Sequence, residues 1–342
     1  MHGLLRGTLP VVSTTAVSNA PWTLLASDHW RVQVDLPAIV RPDAARRGAI
    51  CERGQGATVR RAEPGPAGPL LLEAASLAGG TRLQVWGSPR TSAAAREAAL
   101  TAAAGWAGLH DDPTGLEAVA GAHTVVGRAV LRLGEVRLSR TPRLLEALGR
   151  SVLEQLVQSV EAHRSIAQVV SRTGTSATGS LWCWPTPVQL GATPAWSLRR
   201  CGVSLRSAGA LHAGCVDDAG LERARRAAVA GGGWETLDRR LRALPGVGIW
   251  TSAETRLRLG DPDAVSVGDY HLPTVVGRAL GGESGDGPGG KWTDAGMLQL
   301  LEPFAGQRGR VIRLVERAAS QGLAPRAPRR APRAALSAHR YW

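Results

Sequence analysis

The sequence predicts an α+β protein, in which a small N-terminal α/β part with an antiparallel sheet and a helix precedes a larger, mostly α-helical part. Two observations predict this class. Short stretches of alternating apolar residues occur before residue 105, and helical periodicity dominates after Trp106. At 342 residues and 44% hydrophobic content, the chain is long enough for two or three domains with cores of their own.

The N-terminal domain is expected to span residues 29–105. Strands are predicted at "WRVQVDL" from Trp30, at "PLLLEAASL" and at "TRLQVWG", and the alanine-rich "TSAAAREAALTAAAG" predicts a helix. Residues 1–28 show no such pattern, and a disordered N-terminus is expected there. Polar residues between Ser13 and Asn19 interrupt its apolar run, which argues against a secretory signal peptide.

The helical domain is expected to span residues 106–320. Apolar residues at mostly i+4 spacing predict one long helix that ends at Gly174; they are Leu144, Leu148, Val152, Leu156, Val160 and Ile166. Further helices are predicted at "TPVQLGA", "SLRSAGALHAG", "GLERARRAAVAG", "WETLDRRLRAL", "WTSAETRLRLG", "YHLPTVVGRAL" and "AGQRGRVIRLVERAASQG". Residues 321–342 hold five arginines and no acid, and predict a basic disordered tail.

The charge balance favours a polyanionic partner. Lys and Arg number 41 against 28 Asp and Glu, a formal net charge of +13, and nucleic acid is the first candidate for a partner of opposite sign. No apolar run reaches about 18 residues, so no membrane span or membrane partner is expected and the location is expected to be cytoplasmic, associated with the nucleoid. The four cysteines include no C-x2-C pair, which argues against a zinc finger, and no metal site is expected.

One glycine-rich stretch imitates a phosphate-binding loop. "GDGPGGKW", Gly285 to Trp292, has the G-x4-G-K spacing. Trp292 stands where a Ser or Thr must reach Mg²⁺, and no strand precedes the stretch. A flexible surface loop is therefore expected.

The segment "LPGVGIWTS", Leu244 to Ser252, predicts a tight turn between two helices. Pro245 and Gly246 end the first helix, and Gly248 lets the chain enter the second. Backbone N–H groups of such a turn, together with a helix N-terminus, can bind a phosphate oxygen. The expected phosphate-binding residues are Pro245, Gly246, Val247, Gly248 and Thr251. An ordinary corner between two helices is the alternative.

A carboxylate follows this turn at a short distance in sequence. In "DPDAVSVGDYHLP" a polar turn and a short extended piece bring Asp269 to the start of another helix. Asp269 is either a catalytic acid or a plain N-cap of that helix, with Pro273 tolerated in the first turn. The two roles do not exclude each other.

These segments together resemble the signature of the helix-hairpin-helix (HhH-GPD) DNA glycosylase superfamily. "LPGVGIWTSAETRLRLGDPDAVSVGDYHLP" is similar to its L-P-G-[VI]-G-x-x-T-A motif and the Asp about 20 residues later, and the nearest branch is DNA-3-methyladenine glycosylase II. "VLEQLVQSVEAHRS" and "ATPAWSLRRCGVSLRSAGAL" resemble two further segments of that branch. The resemblance covers about residues 105 to 320 and implies a small N-terminal α/β domain, in agreement with the predicted strands.

The resemblance implies a reaction. Asp269 matches the family's catalytic Asp, which stabilises the oxocarbenium-like state when an N-glycosidic bond breaks. Trp250 stands where bifunctional relatives such as endonuclease III carry the lysine that forms a Schiff base, and the one lysine of the chain, Lys291, lies outside the motif. The expected activity is monofunctional hydrolysis of alkylated purines of the 3-methyladenine type, leaving an abasic site.

Two other functions stay open. Removal of oxidised purines of the 8-oxoguanine type is disfavoured, because those enzymes also use the absent lysine. A non-catalytic protein that binds DNA through the hairpin is the rival from another class. The expected partner is double-stranded DNA with damaged bases, the protein is expected to be a monomer, and no cofactor is expected; a monovalent cation at the hairpin on DNA binding is left open.

Aromatic and wedge residues complete the expected site. Eleven tryptophans stand against two tyrosines and one phenylalanine, and indole attracts a cationic alkylated base. The pocket candidates are Trp182, Trp184, Trp250 and Tyr270, and core packing is the alternative for each tryptophan. Gln155 and Leu156 match the wedge that fills the gap left by a flipped base; burial in the helix is the alternative for Leu156. His271 is expected to support the loop after Asp269 through a hydrogen bond.

The sequence departs from the family's pattern at two places, which affects how far the family's site residues can be assigned to this sequence. Gly309 and Arg310 stand where larger or aromatic neighbours of the pocket are expected, which leaves the shape of the pocket open. Ser252 replaces the Ala that usually follows the hairpin Thr. Neither departure changes Asp269.

Overall fold

The computed structural model describes residues 22–40, 43, 47–231 and 233–326, and it confirms the α+β class. The expected disorder of residues 1–21 and of the basic tail from residue 327 falls outside these ranges. The strands are β1 (Thr23–Trp30), β2 (Cys51–Arg53), β3 (Thr58–Glu63), β4 (Leu70–Leu77) and β5 (Gly80–Gly87).

Fifteen α-helices occur among the described residues, and short 3₁₀ turns occupy Pro288–Gly290 and Glu302–Phe304. The helices are α1 (Leu36–Ile39), α2 (Ala93–Trp106), α3 (Thr114–Ala120), α4 (Thr124–Leu133), α5 (Leu144–Glu154), α6 (Ser159–Thr173), α7 (Pro187–Gly191), α8 (Ala195–Arg199), α9 (Leu205–Val216), α10 (Asp218–Val229), α11 (Trp234–Arg242), α12 (Ile249–Arg258), α13 (Leu272–Leu280), α14 (Asp294–Leu301) and α15 (Arg308–Ser320). No described helix is both long and apolar enough to cross a bilayer.

The five strands form one antiparallel sheet in the order β1-β5-β4-β3-β2. The predictions of β4 and β5 are confirmed, whereas the strand expected from Trp30 onward is wrong: β1 ends at that residue. The expected disorder is also wrong for residues 22–28, because β1 pairs along β5 and Ser27 Oγ donates to Leu83 O at 3.1 Å. Val34 belongs to the sheet's core without being in a strand, which explains the misleading alternation.

The described chain divides into two compact units. The first contains the residues up to His110 and Ser139–Asp218, and the second contains Asp111–Leu138 and the chain from Ala219 onward. This division differs from the expected boundary near residue 105, because α5 to α9 belong to the same unit as the sheet. A boundary read from secondary-structure type alone misses this packing.

Ion pairs join α5 to β3 and to Asp43, before β2, in the first unit. Arg61 of β3 donates to Glu63 and, at 2.6 Å, to Glu146 of α5. Arg150, one turn further along α5, lies 3.1 Å from Asp43. Burial alone would raise the pKa of Asp43, but Arg150 and two backbone N–H groups outweigh it and lower the pKa. The buried Arg61 and Glu63 interrupt the apolar alternation of β3, and no strand was predicted there.

The long helix expected to end at Gly174 is interrupted. The chain leaves helical geometry between α5 and α6, at residues 155–158, and Leu156 adopts φ = 60°. Leu156 is 86% exposed, so the alternative that buries it in a helix is wrong. The i+4 spacing of apolar residues did not reveal this break, because the pattern resumes in α6, where Ile166 is buried as expected.

The loop from Gly285 to Trp292 lies at the surface, as expected, and contacts two helices. The Asp286 carboxylate accepts hydrogen bonds from Thr293 N at 2.9 Å and from Gly296 N at 3.1 Å, the first turn of α14. The Trp292 ring lies on Gly277, where any side chain would overlap it. The loop therefore caps α14 and packs on α13.

The cysteines are free, and Cys51, Cys183 and Cys201 are buried. Burial raises the pKa of the Cys51 and Cys183 thiols to about 12. These two side chains are therefore protonated, unreactive thiols at neutral pH.

Candidate DNA-binding hairpin and catalytic carboxylate

The helical hairpin predicted from "LPGVGIWTS" is present between α11 and α12. Leu237 and Leu241 bury the inner face of α11, and the chain reverses through Gly246, whose φ of 83° lies in the left-handed region that favours glycine. Gly248 is the N-cap of α12, and its side-chain-free position leaves the start of that helix open.

The hairpin presents a smaller set of donors than the sequence predicts. Pro245 and Gly248 are exposed, and within the described chain the N–H groups of Gly246 and Gly248 have no hydrogen-bond partner. Val247 is 7% exposed, and its N–H donates to Leu244 O at 3.1 Å inside the turn. The backbone of the two glycines and the adjoining helix start are thus what a phosphate can reach.

Thr251 was expected to donate a hydrogen bond to the phosphate, and this expectation is wrong for its side chain. Thr251 is 3% exposed, and its carbonyl accepts a hydrogen bond from Thr255 Oγ1 at 2.7 Å. Thr251 is the third residue of α12, but its side chain faces inward, so the hydroxyl lies inside the unit.

Ser252 ties the two helices of the hairpin together. Its side chain is fully buried, and its Oγ donates to Asp238 Oδ1 of α11 at 2.7 Å. Asp238 also lies 3.4 Å from Arg242 and 3.5 Å from Arg256. The replacement of the family's usual Ala therefore adds a hydrogen bond between α11 and α12 that an alanine cannot make.

We expect Ser252→Ala to destabilise the protein by about 1 to 3 kcal/mol, because a buried hydrogen bond to a charged acceptor is lost. Thermal unfolding of Ser252→Ala, Asp238→Ala and the double variant measures the coupling. The loss caused by Ser252→Ala should be smaller when Asp238 is already absent. Fully additive losses would show that this bond does not connect the two helices.

Asp269 is half-buried and lies three residues before the start of α13, whose N-cap is His271 rather than Asp269. Its Oδ1 accepts hydrogen bonds from the backbone N–H of His271 at 2.7 Å and of Leu272 at 2.9 Å. Its Oδ2 accepts one from Trp250 Nε1 at 3.0 Å. The two bonds to Oδ1 resemble a helix cap, which is the role expected if Asp269 is not catalytic. The bond from Trp250 joins the carboxylate to the first turn of α12, next to the hairpin glycines.

The turn that leads to Asp269 is anchored to α15 and α12. Arg308 donates to both carboxylate oxygens of Asp263, and Arg310 N donates to Pro262 O at 2.9 Å. Ser266 Oγ donates to Glu254 Oε1 of α12 at 2.6 Å. These anchors were not predicted, because each is a tertiary contact without a local signal in the sequence.

The two unexpected residues of α15 belong to this anchor rather than to a pocket wall. A side chain on Gly309 would overlap the carbonyl of Ala264, so a glycine is needed for this close approach. Arg310 is 1% exposed, and its two terminal nitrogens donate to the two carboxylate oxygens of Asp111. Gly309 therefore lets α15 approach the loop before Asp269, whereas the Arg310 side chain binds the segment before α3.

Tyr270 and His271 lie beside Asp269 and are exposed. Their rings meet edge to face with centroids 4.9 Å apart. His271 supports the loop as expected in one respect, since its backbone N–H donates to Asp269. Any residue other than proline offers that N–H, so the bond does not depend on the imidazole.

Comparisons with solved structures identify the fold. The chain is similar to the 3-methyladenine DNA glycosylase from Archaeoglobus fulgidus with a TM-score of 0.65 at 18% identity, covering 85% of this chain and 92% of that one. It is similar to the apo 8-oxoguanine glycosylase/lyase from Clostridium acetobutylicum with a TM-score of 0.63 at 13% identity, covering 85% and 95%. This chain has the helix-hairpin-helix glycosylase fold.

A third structure with this fold, the Schizosaccharomyces pombe 3-methyladenine DNA glycosylase in complex with abasic DNA, matches with a TM-score of 0.50 at 22% identity, covering 62% of this chain and all of that one. No protein-family model and no curated protein matches the sequence. The likeness at these identities is one of fold.

Two of the four aromatic candidates in this glycosylase fold lie beside Asp269, namely Trp250 and Tyr270. The other two belong to the first unit. Trp184 is 1% exposed, and its ring lies against Gly149, so the core alternative is correct for it and a base cannot stack there. Trp182 is half-buried, and Arg47 lies over its ring at 5.2 Å from the centroid.

The wedge candidates occupy the break between α5 and α6 in the first unit. Gln155 Nε2 donates to Ser207 Oγ at 3.4 Å. Leu156 is 86% exposed and is the one non-glycine residue with positive φ in the described chain. Holding a leucine in this region costs on the order of 1 to 3 kcal/mol, so the conformation marks a position that the surrounding structure imposes.

Proposed function

We propose that this protein is a monofunctional DNA glycosylase that hydrolyses the N-glycosidic bond of alkylated purines of the 3-methyladenine type and leaves an abasic site. The observation that carries the proposal is the half-buried Asp269 carboxylate, hydrogen-bonded to Trp250 at 3.0 Å and joined by α12 to a hairpin with two open glycine N–H groups. The hairpin binds a phosphate, and the carboxylate acts on the adjoining nucleotide.

Asp269 supplies negative charge in a fixed position. Three donors hold it, two of them on Oδ1, so Oδ2 keeps a lone pair that is not used by Trp250. As the bond to the base lengthens, positive charge grows on the deoxyribose, and a carboxylate that is already oriented stabilises it without rearranging. The same oxygen can orient the water that attacks the sugar.

The absence of a lysine at position 250 supports hydrolysis without a lyase step. Trp250 occupies the expected lysine position, and an indole N–H is a donor only, with no basic lone pair to attack the sugar. The one lysine of the chain, Lys291, lies in the loop that caps α14. We therefore assign no Schiff-base intermediate to this enzyme.

A cationic base fits the aromatic residues beside the carboxylate. An N-alkylated purine carries positive charge, is attracted to the faces of Trp250 and Tyr270, and leaves readily once the glycosidic bond is polarised. The similar structures include enzymes named for 3-methyladenine and for 8-oxoguanine, so the fold is compatible with either substrate. The missing lysine favours the alkylated purine.

The partner in this proposal is double-stranded DNA. A formal net charge of +13 gives a salt-sensitive attraction to phosphates, and the hairpin adds a specific backbone contact. One of the similar structures holds 8-oxoguanine-containing duplex DNA and another holds abasic DNA.

The test of this proposal is incubation of the protein with two duplexes, one methylated and one with a single 8-oxoguanine. Release of free 3-methyladenine with an intact, alkali-labile strand supports the proposal. Release of 8-oxoguanine alone would replace the substrate class. Binding of both duplexes with no release would favour the non-catalytic alternative.

Within the same proposal, Leu156 is the wedge that enters the duplex when the base leaves it. An apolar side chain of this size can replace the stacking of a missing base, and no other described non-glycine residue is held at positive φ. Gln155, bonded to Ser207, fixes the turn from its N-terminal side. In this proposal, the unfavourable backbone conformation of Leu156 is retained because it exposes the wedge.

We expect Leu156→Gly to lower single-turnover base release about tenfold, because the wedge is removed, without lowering the melting temperature, since glycine accepts φ = 60°. The loss should shrink when the damaged base lies opposite an abasic site, where less stacking must be replaced. Val216→Ala, which truncates a 91% exposed side chain in the same unit, is the matched control. Unchanged release by Leu156→Gly would remove the wedge assignment.

A further inference from the structure

Asp294 is an acidic side chain that the proposed reaction has not used. It is the first residue of α14, and both of its carboxylate oxygens accept the N–H of Gly268, at 3.1 Å for Oδ1 and 3.2 Å for Oδ2. Gly268 directly precedes Asp269 and has φ = 85°, a conformation that favours glycine. A carboxylate thus holds the peptide that turns the chain into the catalytic residue.

The start of α14 does not need this carboxylate. Thr293 is the N-cap and accepts a hydrogen bond from Gly296 N at 3.2 Å, and Asp286 accepts a second from the same N–H at 3.1 Å. An acid in a first helical turn also interacts with the helix dipole, but that effect requires no particular partner. The bond of Asp294 to Gly268 is therefore an addition to a helix that is already capped.

Because α14 is packed in the core, its bond to Gly268 holds the turn before Asp269 in a fixed position. Met297 and Leu301 of α14 are fully buried in one core with Val276 of α13, the helix that starts three residues after Asp269. Asp269 is consequently held on both sides. Its own carboxylate accepts the N–H groups of His271 and Leu272, and Asp294 accepts the N–H group of Gly268.

We infer that Asp294 is the positioning residue of Asp269, acting through the Gly268 amide on the geometry of the catalytic carboxylate. This inference rests on the proposed glycosylase function. It deepens that function by assigning the residue that fixes where the negative charge stands. A displacement of about 1 Å at a reacting group can cost on the order of 100-fold in rate, so the loss of one such bond is measurable.

The test compares Asp294→Ala, Asp294→Asn and the exposed control Glu302→Ala on an alkylated duplex under single-turnover conditions. Asparagine keeps a carbonyl oxygen that accepts the Gly268 N–H, and alanine does not. We expect Asp294→Ala to lower the rate tenfold or more with its duplex Kd within twofold of the parent, and Asp294→Asn to stay within about threefold. Hydrogen exchange of the peptide around residues 264–271, measured without DNA, should quicken in Asp294→Ala alone.

Each outcome decides. A parental rate for Asp294→Ala overturns the inference, and so does an equal loss in Asp294→Asn, which would assign the effect to charge rather than to the hydrogen bond. If the parent protein itself releases no base, the proposed function fails. Unchanged exchange in Asp294→Ala would then refute the hold on Gly268 separately, whereas faster exchange would confirm it.

Discussion

Asp269→Asn is expected to lower base release from alkylated DNA by at least a hundredfold and to leave duplex binding within a few-fold of the parent. The substitution keeps the size of the side chain and an oxygen for the His271 and Leu272 N–H groups. It removes the negative charge that stabilises the positive charge developing on the sugar. The loss of one such electrostatic group typically lowers the rate by a factor of about 100 to 1000. Single-turnover release and fluorescence anisotropy measure the two quantities.

The amide also conflicts with Trp250. In Asp269→Asn the side-chain oxygen accepts the backbone N–H groups, so the side-chain NH₂ faces the indole N–H of Trp250. Two donors then meet without an acceptor. Trp250→Phe therefore serves as the control: it removes the indole donor, keeps the carboxylate, and should cost less than Asp269→Asn. Parental release by Asp269→Asn would exclude this residue as the catalytic group.

Arg310→Met is expected to cost about 3 to 5 kcal/mol of stability, because it leaves Asp111 buried without its counter-charge. The Arg310 guanidinium contacts both Asp111 oxygens and also donates to Val136 O at 2.6 Å. Chemical unfolding of the second unit, followed by hydrogen exchange of peptides in α15, measures the loss.

The matched double variant Arg310→Met/Asp111→Leu tests the reason for that loss. If an uncompensated buried charge causes it, removing Asp111 as well should restore part of the stability. An equal or larger loss in the double variant would show that Arg310 stabilises by packing or by its backbone acceptors instead.

The elements with local signals were predicted from the sequence. A short apolar run identified β4, alternation identified β5, and helical segments were predicted for α10, α11, α12, α13 and α15 of the second unit, but not for α3, α4 and α14. β1 was misplaced because it pairs with β5, more than fifty residues later in the chain. β3 was missed because the buried charges of Arg61 and Glu63 interrupt its apolar alternation. The break after α5 was missed because apolar spacing does not register a residue at positive φ.

The candidate site divides in the same way. Gly246, Gly248 and Asp269 were found from a compact motif whose glycines and acid are close in sequence. The roles of Thr251 and Trp184 were misjudged, because whether a side chain is buried depends on tertiary packing that the motif does not record. The contribution of Asp294 had no local signal, since an acid at a helix start is common.

The most direct test of the account is identification of the products that the unmodified protein forms on methylated duplex DNA. We expect free 3-methyladenine, an abasic site on an uncut strand, and no covalent adduct on borohydride treatment, because Trp250 stands where bifunctional relatives carry the lysine. A borohydride-trapped adduct, or duplex binding without any released base, would contradict it.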